Sequence, residues 1–541
     1  MKNNLLINYS VNGIAKTAAA SNEDIVICEN NEKKHTFISI TALKDVELDS
    51  CTITEEHKYN KTDRFFLNGY QSWTDSFEYS FNHKLKDSSK LPAVLLKKYA
   101  FDKYGDSYFH EYNKNVLHAF DVSYITGSNS LFIGNNNYKT AYLIIEYHKK
   151  NNRLVLKSDL EGISLKKDQN LTVFDFTICS DIEKGKEEYF ARFEKPKAEK
   201  LFGYTSWYNH YQDINEDIIL GALNNSTEHF DLFQIDDGFE TFVGDWLSID
   251  SKKFPNGLKP IVEKAHSKNM KAGIWLAPFA AEEKSELFKK HKDWFLKDKN
   301  GNAVKCGSNW SGFYALDIGN ADAVSYIKKT LQFYKNLGFD FFKLDFLYAA
   351  SVIKQPGLSR SQTAQKAYEL LRNELKDKLI LGCGAVISNS FGMFDYLRIG
   401  PDVSLIFDDV WYMRHLHRER ISTKVTLRNT IYRHLFDHKV FLNDPDVFLL
   451  RSHNIKLSKP QREALTTINS LFGSLLMTSD NPKHYKHEED DYLKRALQLF
   501  KYGSVKEVKT DDKNIRVTYE LDGIEKSFVY SIKKGILIQE A

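Results

Sequence analysis

The sequence predicts a multidomain protein: an N-terminal β-sandwich, a central (β/α)8 barrel and a small C-terminal antiparallel β domain. Three observations carry this. The 541 residues exceed what one hydrophobic core holds. Hydrophobic periodicity changes from twofold alternation to strand–helix alternation near Leu201. It returns to short strand-like runs after about Tyr485.

The first region, residues 1–198, is made of short alternating runs separated by polar turns. Asp24–Cys28, His35–Ile40, Ala141–Tyr147, Arg153–Lys157 and Leu171–Ile178 are examples. Helical periodicity is scarce, and Glu187–Lys200 reads as a helical exit and linker.

Within residues 199–484, eight apolar runs read as strands: Phe202–Trp207, Phe230–Asp236, Ala272–Ala277, Asp340–Phe346, Leu379–Cys383, Tyr396–Gly400, Val440–Leu442 and Ser474–Thr478. Amphipathic patterns over Asn215–Glu228, Gly257–Asn269, Asp322–Leu337, Ser361–Lys376 and Pro460–Leu471 fill most of the intervals. Strands that are continuous apolar runs are buried on both faces, as in a parallel barrel wrapped by helices. A doubly wound sheet is the competing architecture, but no GxGxxG follows the first strand. The final region, 485–541, ends in Val505–Val508, Ile515–Glu520, Ser527–Ile532 and Gly535–Ile538, the pattern of a small antiparallel sheet.

Composition removes several function classes. With 75 basic and 72 acidic residues interspersed, there is no nucleic-acid stripe. The five cysteines are odd in number and far apart, which indicates neither a disulfide framework nor a structural zinc site. No apolar run reaches membrane-spanning length and the N-terminus lacks the apolar core of a signal peptide, so a cytoplasmic location is expected. Aromatic residues reach 13%, which suits both core packing and stacking on sugar rings. No pattern in the sequence fixes an oligomeric state.

Barrel chemistry sits at the carboxyl ends of strands, and polar residues gather there. Strand two ends in Gln234–Ile235–Asp236–Asp237–Gly238, strand four in Lys343–Leu344–Asp345, and strand six in Arg398–Ile399–Gly400–Pro401–Asp402. Strand one runs into Ser206–Trp207–Tyr208, strand three into Trp275–Leu276–Ala277–Pro278, strand seven into Asn443–Asp444–Pro445–Asp446 and strand eight into Ser479–Asp480. A single strand-end Asp is commonly a cap or turn residue; several converging at one mouth indicate a site. Alternation puts Lys343 and Asp345 on one face. No GxSxG elbow is present, and His415-x-His417 resembles a metal pair only in spacing. Asp236–Asp237 could coordinate Mg²⁺, but the neighbouring Lys343 opposes it, so no metal or cofactor is expected. Paired carboxylates without metal or histidine suit glycoside cleavage: one ionised acid attacks the anomeric carbon, and one protonated acid assists the leaving oxygen. Trp207, Trp275, Trp310 and Tyr348 offer stacking faces.

With these residues in place, the chain resembles the α-galactosidases of glycoside hydrolase family 36. The matching stretches are SWY (Ser206–Tyr208), FQIDDG (Phe233–Gly238), GDW (Gly244–Trp246), GIWLAPF (Gly273–Phe279), YALD (Tyr314–Asp317), FFKLDF (Phe341–Phe346), LGCG (Leu381–Gly384), RIGPD (Arg398–Asp402) and LNDPD (Leu442–Asp446), with NGYQSW (Asn68–Trp73) upstream. The resemblance implies retention through a covalent glycosyl-enzyme, with Asp345 as nucleophile and Asp402 as acid/base. It implies that Asp236 and Asp237 hold the 4- and 6-hydroxyls of galactose, and that Lys343 and Arg398 bind hydroxyls. Trp275 would line the pocket, Trp73 would close it from the first domain, and Cys383 would stand near the 2-hydroxyl; Trp207 is expected to bind substrate as one of the stacking faces named above. The expected substrates are small α-galactoside oligosaccharides cleaved from the non-reducing end. Tyr70 and Thr205 stand where the family commonly has Trp and Cys, and Phe239 follows the acidic pair. The stretch Ala385–Tyr396 also departs from the family's wording and lies beside the 2-substituent. α-N-acetylgalactosaminidase or α-galactosyl transglycosylase activity therefore stays open, as does a non-catalytic carbohydrate-binding barrel.

Overall fold

The computed structural model describes residues 4–32, 35–88, 91–227 and 229–538. Glu228, the expected end of one helix, and the chain termini lie outside the described residues.

Residues 4–179 form two seven-stranded antiparallel sheets, the β-sandwich that the alternating runs predict. Asn4–Val11 shows why: its inward residues Leu5, Ile7, Tyr9 and Val11 are buried, while Asn4 and Leu6 are exposed. The short helix Ile182–Phe190, capped by Asp181 accepting from Lys184 N, carries the chain out.

The barrel strands are β1 (Leu201–Thr205), β2 (Leu232–Ile235), β3 (Lys271–Leu276), β4 (Phe341–Leu344), β5 (Leu379–Gly382), β6 (Tyr396–Arg398), β7 (Leu442–Asp444) and β8 (Leu475–Thr478). All run parallel in sequence order. A two-residue strand, Val447–Phe448, pairs with β8, which in turn pairs with β1. The sheet thus returns to its start, which excludes the doubly wound alternative.

The expected seventh strand, Val440–Leu442, is displaced. The observed β7 begins at Leu442 and breaks at Pro445–Asp446, where Pro removes a ladder donor and Asp446 adopts φ 75°. The chain on one side of the break bonds β6 and on the other bonds β8.

The helices follow the amphipathic pattern, with ends set by local chemistry. Ser359 starts Arg360–Glu374 through a reciprocal box, accepting from Gln362 N while its own N donates to Gln362 Oε1. Asn320 caps Ala321–Leu337, and Gly338 ends it at φ 103°. A three-stranded antiparallel sheet (Ala280–Glu282, Lys305–Gly307, Phe313–Ala315) is inserted after β3. Helix His487–Tyr502 follows β8 and packs on helix Lys459–Phe472. Its apolar face (Leu493, Ala496, Leu499, Phe500) is buried. Only then do four antiparallel strands begin at Ser504. None of the helices among the described residues is long and apolar enough to cross a membrane.

Candidate active site

The carboxyl ends of the barrel strands open into a cavity of about 370 Å³. Asp345 and Asp402 both line it, together with Trp73, Phe101 and Tyr104 from the sandwich domain and residues of the loop 403–421.

Asp345 follows β4 directly, and its own N–H donates to Leu276 O of β3 at 2.8 Å. Its carboxylate accepts from Trp275 Nε1 at 3.1 Å and from Phe346 N at 2.8 Å. Both donors are fixed by the barrel, so one oxygen is oriented by an indole and the other by the backbone. Phe346 adopts φ 55°, a left-handed conformation that costs energy in a non-glycine residue and turns the chain away beside Asp345.

Asp402 lies four residues beyond β6. Arg398 Nη1 donates to its Oδ1 at 3.1 Å. Although about 34% of its side chain stays exposed, its partial burial raises the Asp402 carboxyl above the ordinary carboxylate range against the pull of Arg398 and Lys343, and Asp345 and Asp236 add to the rise. A carboxyl so placed keeps its proton longer than a solvated one.

Arg398 is itself the hub of three aspartates. Besides Asp402 it donates from Nε to Asp444 at 2.7 Å and pairs through Nη2 with Asp446 at 2.9 Å. The broken β7 is what brings Asp444 and Asp446 to the same guanidinium. Burial pushes the Asp446 carboxyl up to about 7, and Tyr208 donates to it. Strand one therefore contributes Tyr208 to this network, whereas Trp207 packs edge-on against Tyr211 and does not line the cavity.

Asp236 and Asp237 are buried at the end of β2, beside the cavity but not in its wall. Asp236 accepts from Lys343 Nζ and Gln234 Nε2, both at 2.8 Å. Burial would lower the Lys343 pKa, but the Asp236 carboxylate outweighs it and holds the ammonium above the usual lysine range. Asp237 accepts from Gln212 and from Trp310 Nε1 at 2.9 Å. Trp275 and Cys383 are likewise buried around the two cavity carboxylates without lining the cavity. Among the described residues no cluster of three or more His, Cys, Asp or Glu could hold a metal ion.

The loop Asn68–Ser76 brings the sandwich domain to the barrel. Fully buried Arg433 gathers its backbone, donating to Ser72 O at 2.6 Å, Gln71 O at 3.0 Å and Gly69 O at 3.3 Å, and to Asn68 Oδ1 at 3.2 Å. Ser72 N donates to Ala385 O at 2.8 Å, and Ala385 N returns a bond to Ser72 Oγ at 3.0 Å. Gly384, at φ 55°, leaves space for the Trp73 ring; a Cβ there would stand 2.8 Å from it. The segment after LGCG is thus a docking bed for this loop. Arg433→Met leaves several buried carbonyls unpaired. It is expected to cost roughly 3 kcal/mol in urea unfolding and to reduce kcat/KM through misplacement of Trp73.

Sequence reasoning missed much of the outer wall. Phe101 and Tyr104 lie far upstream in a segment with no recognisable pattern. Glu419 and Arg420 sit in what reads as a charged stretch, yet both are buried and line the cavity. Glu419 accepts from Thr74 Oγ1 at 3.0 Å, and burial pushes its carboxyl up to about 8. His417 stacks on Phe101 with ring centroids 5.2 Å apart. Only the run Arg418–Glu419–Arg420, close after Asp402, could have signalled this wall.

Comparison with known proteins bears on the family and the fold. Residues 192–385 match the family model described as Melibiase. An α-galactosidase of Geobacillus stearothermophilus is 28% identical over 135 residues, 24% of this chain and 18% of that protein. The matched stretch therefore spans under a fifth of that relative's length. A solved α-galactosidase of Thermus thermophilus, bound to p-nitrophenyl α-D-galactopyranoside, superposes with a TM-score of 0.71 at 24% identity, covering 92% of this chain and 98% of its own. A family 36 α-galactosidase of G. stearothermophilus in complex with raffinose gives 0.62 at 12% identity, covering 97% and 80%. Residues 192–385 thus match the Melibiase model, and the chain has the fold of the glycoside hydrolase family 36 α-galactosidases.

Proposed function

We propose that the protein is a retaining exo-α-galactosidase that removes terminal α-galactosyl residues from oligosaccharides by double displacement. The observation that carries this is the contrast between the two carboxyl groups on one cavity. Asp345 is oriented by two N–H donors, and Asp402 is raised by burial. That pairing is what a nucleophile and a general acid require.

In this reading Asp345 attacks the anomeric carbon as Asp402 transfers its proton to the glycosidic oxygen. The C–O bond to the leaving sugar breaks and a galactosyl ester forms on Asp345. Asp402, now ionised, takes a proton from water, which displaces Asp345 and releases galactose. Trp275 Nε1–H and Phe346 N–H hold the attacking carboxylate in line, and Arg398 keeps Asp402 aimed at the leaving group. The family resemblance assigns the sugar's hydroxyls to Asp236 and Asp237, which keep further acceptor capacity but stand behind the cavity wall, so this contact requires the wall to open toward them.

A panel of aryl α-glycosides tests the substrate: p-nitrophenyl α-galactoside should be turned over fastest. Rapid release from the α-N-acetylgalactosaminide with negligible release from the galactoside would overturn the reading. The pH dependence follows from Asp402. Because its carboxyl is raised, kcat/KM should persist above the ordinary carboxylate range and then fall as rising pH removes the proton. Asp402→Asn should lose about 10³-fold on substrates with poor leaving groups. Its loss on a dinitrophenyl galactoside, which needs no acid, should be far smaller.

A further inference from the structure

The cavity accounts for only part of an oligosaccharide. At about 370 Å³ it lies near the small end of ligand pockets, which span ~300–1,000 Å³. Sugars beyond the first ring or two must leave through its mouth.

The loop after Asp402 forms one side of that mouth. Its base is fixed: Asp408 accepts from Ser422 Oγ at 2.8 Å and from Arg420 Nη2 at 3.2 Å, and Ser422 N donates to Asp402 O at 3.3 Å. Asp409, Met413 and Ile421 of this loop line the cavity. Between Asp409 and Met413 stand Trp411 and Tyr412, with 74% and 54% of their surface exposed. Their rings meet edge to face with centroids 5.9 Å apart. Leaving two large rings in water is unfavourable unless something covers them, and their place in the chain fixes them beside the exit of the cavity.

We infer that Trp411 and Tyr412 form an outer subsite that stacks on the neutral sugar rings of the leaving oligosaccharide, beyond the cleaved bond. Flat rings in water offer apolar faces to the C–H faces of a sugar, and continuity with the cavity wall through Asp409 and Met413 places those sugars against them. The protein would accordingly prefer tri- and tetrasaccharides over galactosides with short aglycones. This rests on the proposed α-galactosidase function.

The test compares kcat/KM for stachyose with that for p-nitrophenyl α-galactoside. In Trp411→Ala the stachyose-to-aryl ratio should fall about tenfold, the equivalent of one lost stacking contact. Trp411→Phe should recover most of it, and Tyr412→Ala should show a smaller fall. Calorimetric titration of stachyose into Asp345→Ala, with and without Trp411→Ala, should show the same tenfold difference in Kd. An unchanged ratio and Kd overturns the subsite, as does an equal fall on both substrates. If sedimentation shows that Trp411→Ala splits an oligomer while the ratio holds, the rings instead belong to an interface with a second copy, and the subsite is again overturned. Absence of α-galactoside turnover by the unmodified protein would overturn the proposed function alone, because the calorimetric comparison still decides the subsite.

Discussion

Asp345→Ala should abolish turnover of p-nitrophenyl α-galactoside, lowering kcat by at least ~10⁴-fold, and added azide should restore release of p-nitrophenol with formation of β-galactosyl azide. The size of the loss reflects what is removed. No other cavity carboxyl shares the arrangement of Asp345, with an indole N–H on one oxygen and a backbone N–H on the other. Azide is small enough to occupy the space of the missing carboxylate, and attack from that side gives the β product. Rescue with an α-galactosyl azide product would place the nucleophile on the wrong face. Retained activity in Asp345→Ala would remove it from the mechanism.

Arg398→Met is expected to have the second largest effect, on stability as much as on catalysis. The wild-type guanidinium is buried against Asp402, Asp444 and Asp446. Removing it leaves the buried Asp444 and Asp446, with the partly exposed Asp402, without their guanidinium partner, and breaking a buried ionic network of this kind costs roughly 3–5 kcal/mol. The carboxyls respond by binding protons more tightly in the folded than in the unfolded protein. A raised folded-state pKa gives stability that is present at low pH and lost as pH rises through it. Urea unfolding should therefore show a deficit that widens from pH 5 to pH 8. A deficit independent of pH would mean that the aspartates are not what the arginine stabilises.

Much of this architecture was legible in the sequence, and the exceptions have physical causes. The first six barrel strands and the eighth stand where continuous apolar runs place them, because burial on both faces leaves no other composition. The seventh was displaced because its apolar run, Val440–Leu442, includes the turn before the strand, while two of the three paired residues are the polar Asn443 and Asp444. Helix His487–Tyr502 went unread because its first turn is almost wholly acidic, and the strand-like runs after it dominated the region.

The site divides in a similar way. Strand position fixes where a side chain points, so Asp345 and Asp402 line one cavity, whereas Lys343 and Arg398 stand buried behind it, engaged by Asp236 and by Asp402, Asp444 and Asp446. Asp444, Asp446 and Tyr208, which complete the Arg398 network, appeared in strand-end motifs without a role. Their role depends on the break in β7, which no local pattern announces. Phe101, Tyr104 and Trp411 come from loops whose course depends on tertiary packing. Trp73 is the exception among loop residues: it lines the cavity because Arg433 and Gly384 seat its loop.

The most direct test of the mechanism is the anomer formed first. Proton NMR of p-nitrophenyl α-galactoside hydrolysis, recorded before mutarotation, should show α-galactose appearing first, with the β anomer growing in later. β-Galactose as the first product would mean a single displacement by water, and would contradict the assignment of Asp345 as nucleophile.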